Sequence, residues 1–351
     1  MPGFHAKMQL KDRQLAVPLF LAPMAGLTHS ALRTLLLHYG GVGLLSTEML
    51  SAKRLPIENA ALSPYLVRTD IEKPLSYQLL ITGPGDVEPA VRALHRLGAD
   101  AVDLNLGCPA PKVKKKGGGI ALMSRPETVR EIIHAARRAT DLPLSAKIRL
   151  GETTDIRPVL DFCLLLQDEG VDMITVHARL KGESFARKPR WSLLADIKKE
   201  LSVPMVANGG IFSVADARKC LEQSGADGLM IGRAAARTPW LFAEIAREIH
   251  GADILEQEIN KVWAYGAFVR GLLRFLPERR LGRLKEFSHY FALNYSFGHH
   301  LAMAVQRSQS MIEAWDAAVA FFQRADGEAL AAIDHTAIRE LLETGISAEQ
   351  D

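Results

Sequence analysis

The chain has 351 residues, with 43 Lys and Arg against 40 Asp and Glu, for a formal net charge of +3. That is long enough for one large core and a smaller one, and too evenly charged for whole-chain charge to name a partner. The three cysteines, Cys108, Cys163 and Cys220, are few, odd in number and far apart, which excludes a disulfide framework and a cysteine-based zinc site and fits a reducing compartment. Residues 1–14 are polar and lack the apolar region of a signal peptide, and no apolar run reaches membrane-spanning length. The expectation is a soluble cytoplasmic protein.

In chain order, apolar runs of strand length fall at residues 17–21, 42–46, 75–80, 101–106, 144–149, 173–176, 203–207 and 228–231. Segments of helical period lie between them. After the first run, Ser30 is a possible cap for a helix carrying Leu32, Leu35 and Leu36 on one face. Residues 87–97, 126–139, 156–169 and 214–224 continue the alternation. Near-continuous apolar strands alternating with helices indicate a parallel sheet covered on both faces. Eight such units predict a (β/α)8 TIM barrel, a fold that typically takes ~250 residues. An open doubly wound sheet would want a Gly-x-Gly-x-x-Gly loop after its first strand, and none is there.

From Lys261 the strand-like runs stop and helical segments continue to the end. Residues 261–310 hold Lys261, Arg270, Arg274, Arg279, Arg280, Arg283, Lys285 and Arg307 against Glu278 and Glu286, and from 311 onward the sign reverses. The expected division is a barrel domain, 1–250, followed by a small all-α domain, 251–351, with one basic face. Such a charge run usually marks a solvated helix face.

The carboxyl ends of the strands, where parallel α/β proteins collect their ligands, carry most of the chemistry. In order they present Pro23-Met24-Ala25, Glu48, Gln78, Asn105 with Cys108, Lys147 with Arg149, His177 with Arg179, Asn208-Gly209-Gly210, and Gly232-Arg233. A mouth lined by these polar and cationic groups suits an anionic, hydrogen-bonding ligand. The two glycine turns fall after strands seven and eight, where barrels commonly bind phosphate through backbone N–H groups. Lys147 lies inside an apolar strand, so its amine must meet a partner at the mouth; it could be a Schiff-base lysine or a cation beside an electron-rich ring. A free cysteine is usually buried and inert. Cys108 is different in position, because it ends a strand and is followed by a lysine-rich stretch and the triplet Gly117-Gly118-Gly119. No His or carboxylate pairs stand at metal-ligand spacing, so no metal site is expected.

The ordered set Ala22-Pro23-Met24-Ala25-Gly26, Thr47-Glu48-Met49, Gln78, Asn105-Leu106-Gly107-Cys108-Pro109, Lys147-Ile148-Arg149, Val176-His177-Ala178-Arg179, Asn208-Gly209-Gly210-Ile211 and Gly232-Arg233-Ala234-Ala235 resembles the tRNA-dihydrouridine synthases. The resemblance runs over about residues 17–245. It implies an FMN barrel that reduces the C5–C6 double bond of particular uridines in tRNA, with NADPH as reductant. Carried over by position, Pro23, Met24, Ala25, Gln78, Lys147 and His177 would hold the flavin ring and ribityl chain. Asn208, Gly209, Gly210, Gly232 and Arg233 would hold its phosphate end. Cys108 would be the general acid, giving C5 a proton from the face opposite the hydride; a free thiol, with a pKa near ~8.5, keeps its proton at neutral pH yet can give it up. Asn105 would orient flavin or base, and Arg149 and Arg179 would meet the tRNA. On the helical domain, Arg279, Arg280, Arg283 and Lys285 would meet tRNA phosphates, with Tyr290 and Tyr295 near enough to stack. The partner is then tRNA, the protein a monomer away from membranes. Three other readings compete: a flavin barrel reducing a small pyrimidine or enone, an aldolase using Lys147, and an RNA-binding protein without catalysis.

Overall fold

The structure is a computed structural model and describes residues 8–344. The start of the polar N-terminal stretch and the last of the acidic C-terminal residues lie outside the described residues.

The chain opens with a feature that its polar start did not announce. Strands β1 (Met8–Leu10) and β2 (Arg13–Leu15) form an antiparallel hairpin, with Lys11 in the left-handed region at φ 54° in the turn. Each strand is three residues long and the turn contains no glycine, so neither periodicity nor turn chemistry marked it. Eight parallel strands follow as a ring: β3 (Leu19–Leu21), β4 (Leu45–Ser46), β6 (Leu75–Leu80), β7 (Ala101–Asn105), β8 (Leu144–Arg149), β9 (Met173–His177), β10 (Met205–Asn208) and β11 (Gly228–Ile231). A short extra strand, β5 (Leu50–Ser51), pairs with the far end of β6. The first and last members of the ring are joined by β11 to β3, and a Phe20–Leu44 bridge with the Leu21 N–H to Leu44 carbonyl bond (3.0 Å) closes the circle. The expected (β/α)8 barrel is the observed fold.

Period two sorts the strand side chains. Val102, Leu104, Ala146, Ile148, Ile174 and Val176 face outward into the main core, under the helices. Phe20, Met173, Val206 and Met230 point inward and pack on Met8, Leu10 and Leu15 of the hairpin. The hairpin therefore plugs one end of the barrel with apolar side chains. Other inward positions are polar, among them Gln78, Asp103, Asn105, Ser145, Lys147, His177 and Asn208, of which Asn105, His177 and Asn208 close their strands; the register pairs Gln78 with Asp103, Asn105 with Lys147 and His177 with Asn208. Helices α1 (Ser30–Tyr39), α2 (Val87–Arg96), α3 (Pro111–Lys115), α4 (Pro126–Ala139), α5 (Arg157–Asp168), α6 (Ser192–Glu200), α7 (Val214–Ser224), α8 (Ala234–Arg237) and α9 (Leu241–His250) surround the ring. Ser30 is not the cap of α1: His29 holds that position without a side-chain cap bond, and the Ser30 hydroxyl donates to Glu72 at 2.6 Å.

Residues 251–260 form no regular element. Beyond them come α10 (Lys261–Gly271), α11 (Arg280–Phe291), α12 (His299–Arg307), α13 (Met311–Ala325), α14 (Gly327–Ala331) and α15 (His335–Thr344). Their shared interior is aromatic: Phe268 stacks on Phe287 at 3.7 Å between centroids, and Tyr265 lies among Phe287, Phe291, Trp315 and Phe322. Helix α10 lies along α1, close enough that a Cβ on Gly271 would stand 2.9 Å from Ala31 Cβ. Helix α11 packs on α8, which brings this helical region to the carboxyl end of the barrel.

Candidate active site at the barrel mouth

A cavity of about 280 Å3 opens between β3 and the β8–β11 arc. Its wall contains Pro23, Met24 and Ala25 after β3, Lys147 from β8, His177 and Arg179 from the end of β9, Asn208, Gly209 and Gly210 from β10, and Gly232 and Arg233 from β11. Five more wall residues were not read from the sequence as part of the mouth: Leu27 after β3, Phe185 and Phe212 from the loops after β9 and β10, and Glu286 and Tyr290 from α11. Nothing in local sequence connects α11 to the barrel mouth, so these two could come only from tertiary packing. Phe185 could have been noticed as an aromatic among the charges of the β9 loop.

The glycine turns are required by geometry. Gly209 has φ +108°, and a Cβ there would lie 2.6 Å from His177 Cδ2; Gly210 has φ +78°, and its Cβ would meet Pro189 Cγ at 2.6 Å. Trp191 Nε1 donates to the Gly209 carbonyl at 2.9 Å, which fixes the orientation of the turn. Among the described residues, the N–H groups of Gly209, Gly210, Gly232 and Arg233 meet no protein acceptor. These four amides and the Arg233 guanidinium line one cavity, a set of donors that suits an anion.

The charges around the cavity are mostly cationic, with Glu286 of α11 as the acidic exception in its wall. Burial lowers Arg149, Arg179 and Arg233 from their ordinary value. Burial, reinforced by Arg149, brings Lys147 down to about 8, while Asp103 and Cys108 pull it up. His177 is driven far below its ordinary value by burial and then by Lys147, Arg149, Arg179 and Arg233, so its ring is neutral. A neutral ring leaves Nε2 free to accept from Arg179 Nη1 at 3.1 Å. Phe185 lies parallel to His177, 5.9 Å away at 13°, with the Arg233 guanidinium 4.4 Å from its centroid.

Gln78, Asn105, Cys108 and Arg149 are not in the wall of this cavity. They belong to β6, β7 and β8, and the first three are knitted together. Gln78 Nε2 donates to Asp103 Oδ2 (2.7 Å), Asn105 Nδ2 donates to Gln78 Oε1 (2.7 Å), and the Cys108 N–H donates to Asn105 Oδ1 (3.0 Å). Cys108 is partly exposed, whereas Cys163 and Cys220 are buried and pushed up to about 12 by burial. Arg149 is buried and donates to the Leu180 carbonyl at 3.3 Å.

The basic residues of α11 and of the turn just before it part company. Arg279 is exposed and Lys285 partly so. Arg280 is buried, donating through Nε to the Phe275 carbonyl (2.7 Å) and through Nη2 to the Leu273 carbonyl (3.0 Å). Arg283 turns inward, 3.9 Å from Glu48 and 4.7 Å over the Phe275 ring. Glu48, raised by burial, accepts the Gly26 N–H, so this pair ties α11 to the turn that carries Met24 and Ala25. Tyr295 packs against Phe321 and Phe322 with its hydroxyl buried, not turned outward to stack.

No helix among the described residues is long and apolar enough to cross a membrane, and none of their His, Cys, Asp and Glu residues group as a metal site. Residues 20–338 match the family described as "Dihydrouridine synthase (Dus)". The chain is 36% identical over 248 residues to tRNA-dihydrouridine synthase B of Serratia marcescens, covering 71% of this chain and 74% of that protein. It is 35% identical over 246 residues to the probable tRNA-dihydrouridine synthase 1 of Synechocystis sp., covering 70% and 69%. Among solved structures, an old yellow enzyme homologue from Zymomonas mobilis matches with a TM-score of 0.52 at 12% identity, over 80% of this chain and 98% of that one, a likeness of fold alone. A family match that spans the barrel and nearly all of the helical region, with relatives above one third identical, establishes that this chain belongs to the dihydrouridine synthase family.

Proposed function

We propose that this protein reduces the C5–C6 double bond of uridine in tRNA to give dihydrouridine, using FMN with NADPH as reductant, and that Cys108 is the proton donor. The observation that carries this reading is the pairing of an unsatisfied cationic cradle on one arc of the mouth with an oriented, partly exposed thiol on the other.

The cavity residues fit FMN. Four unpaired amides beside Arg233 match a phosphate monoester, whose oxygens accept from N–H groups and arginine. Pro23, Met24 and Ala25 offer an apolar floor to a ring system, and Lys147, Asn208 and neutral His177 offer polar groups to its edge, while Gln78 lies outside that wall, on β6. Bound there, the reduced flavin supplies a hydride to C6 of the uracil. Cys108 donates its proton to C5 and later regains one from solvent, so one hydride and one proton complete the reduction. The ammonium of Lys147, held by Asn208 Oδ1 at 2.9 Å, offsets negative charge at the mouth. Asn105 holds Cys108 and can face the base, while Arg149 and Arg179 supply cations to the substrate.

In this reading 1–250 is the catalytic domain and 251–351 the tRNA-binding domain, of a cytoplasmic monomer. Arg279 just before α11 and Lys285 on it, with Lys114 and Lys115 of α3 and Lys116 after it, meet phosphates; Arg283 and Arg280 act by holding α11 in place. A uridine must leave its stack to enter so closed a mouth. The test is to purify the protein and to map dihydrouridine in tRNA from cells lacking it. A yellow protein with one FMN per chain, and loss of dihydrouridine at one or more positions, supports the reading. A protein that takes up no flavin, or an unchanged dihydrouridine map, overturns it.

A further inference from the structure

Asp103 has no part in the cavity wall, yet it is buried in the middle of the barrel, 5% exposed. Both of its oxygens are used: Oδ1 accepts the Ser145 hydroxyl at 2.6 Å and Oδ2 accepts Gln78 Nε2 at 2.7 Å. Gln78 and Asn105 are also buried, 1% and 9% exposed, so water cannot stand in freely for a wrong partner. Each of these amides has a donor end and an acceptor end that are nearly the same size. What decides which end points where is the chemistry of the neighbour.

A carboxylate only accepts. It therefore demands the NH2 group of Gln78, which turns Gln78 Oε1 toward β7. That oxygen demands the NH2 group of Asn105, at 2.7 Å, which turns Asn105 Oδ1 toward the loop. Oδ1 can then accept only a donor, and the donor is the Cys108 N–H at 3.0 Å. Were Asn105 flipped, an NH2 would face that N–H, two donors would oppose each other, and the turn carrying the thiol would be displaced. Burial raises Asp103 above the usual carboxylate range, with Ser145, Gln78 and Lys147 opposing. A proton on Oδ1 would be donated to Ser145 and still leave Oδ2 accepting from Gln78, so the direction of the chain is the same in either state.

We infer that Asp103 is a positioning residue: through Gln78 and Asn105 it sets the orientation of the turn that presents the Cys108 thiol to the substrate base. The inference rests on Cys108 as proton donor for its consequence in turnover, and on the hydrogen-bond chain alone for its consequence in geometry.

The test is a double-mutant cycle in the FMN-loaded protein with two near-isosteric changes, Asp103→Asn and Ser145→Ala. In Asp103→Asn, the new NH2 can donate to the Ser145 hydroxyl and leave its oxygen facing Gln78. In Ser145→Ala, the carboxylate still only accepts. Each single variant keeps the direction of the chain and changes little, within about threefold. In the double variant the amide at 103 is no longer ordered from the Ser145 side, so only the Cys108 N–H at the far end still orders the chain and the hold on the turn weakens. Two readouts follow it: the rate of Cys108 alkylation by iodoacetamide, with buried Cys163 and Cys220 as internal references, and single-turnover dihydrouridine formation from pre-reduced protein. The expected result is a coupling of about tenfold in both, with the rate of flavin reduction unchanged. Effects that simply multiply, in the alkylation rate as in turnover, overturn the inference. Should Cys108→Ala retain full turnover, the proton-donor reading fails on its own, and the alkylation rates still decide whether Asp103 positions the turn.

Discussion

The two arcs of the barrel mouth are built on opposite plans. From β9 through β11, backbone amides lack partners, Arg179 and Arg233 join Lys147 and Arg149 of β8 in crowding a neutral histidine, and glycines hold conformations that other residues would strain. From β6 through β8, every polar end of Asp103, Ser145, Gln78 and Asn105 that faces a neighbour has found one. A fold tolerates unsatisfied donors and like charges where a ligand will complete them, and it spends satisfied networks where a group must be aimed. The first arc is therefore read as the place that receives a phosphate-bearing cofactor, and the second as the frame for the residue that acts on the substrate.

That contrast can be broken most sharply at Gly209. An alanine there must hold φ near +108° and place its Cβ against the His177 ring; a strain of ~1–3 kcal/mol corresponds to FMN binding weaker by about five- to 150-fold. Flavin fluorescence during dilution of the holoprotein checks it, and the same substitution should leave Cys108 alkylation unchanged. Arg233→Ala removes one cation from the cradle but no backbone group. Losing a hydrogen bond to a charged partner costs ~1.5–3 kcal/mol, so FMN retention should fall by about ten- to a hundredfold.

Lys147 sharpens the contrast through pH. In flavin-free protein its amine is brought from 10.5 down to about 8. Between those values the unfolded chain binds more protons than the folded one, so this group's contribution to folding rises as pH climbs from about 8 to 10.5 and is lost below. Lys147→Met should then make flavin-free protein more stable than the parent at pH 7, by roughly 1–2 kcal/mol, less than the whole shift because the amine still reaches the open cavity. The advantage should vanish above about pH 10.5, as thermal melts at the two pH values will show.

The smallest expected effects lie on α11 and the turn just before it. Arg279→Ala and Lys285→Ala should each reduce the salt slope of tRNA binding by about 1, with unchanged melting temperature. Arg280→Ala should do the reverse, because its guanidinium is buried on the carbonyls of Phe275 and Leu273. Leaving those carbonyls unpaired costs ~1–3 kcal/mol of stability and little in salt slope.

The barrel was legible because each buried strand is an apolar run and each crossover helix keeps its period. The span 126–139 agrees with α4 to the residue, and 214–224 with α7. The strand ends were legible for the same reason, since a polar residue closing an apolar strand stands out. Asp103 was hidden inside such a run, although period two places it on the same face as Asn105. Glu286 and Tyr290 were unreadable as mouth residues because their position depends on how α11 packs against α8, a contact between segments far apart in the chain. Arg279, Arg280, Arg283 and Lys285 looked alike in sequence. The structure separates them by burial, which a charge run does not encode.

The central claim is that the thiol on the satisfied arc completes a reduction begun on the cationic arc. It is tested most directly by one turnover of pre-reduced, FMN-loaded protein with an unmodified tRNA transcript, wild type against Cys108→Ala, counting dihydrouridine formed per flavin. The account predicts one dihydrouridine per flavin for the wild type and a rate lower by ~10²–10⁴-fold for the variant, with FMN content and the rate of flavin reduction by NADPH unchanged. Dihydrouridine formed by Cys108→Ala at the wild-type rate would contradict it.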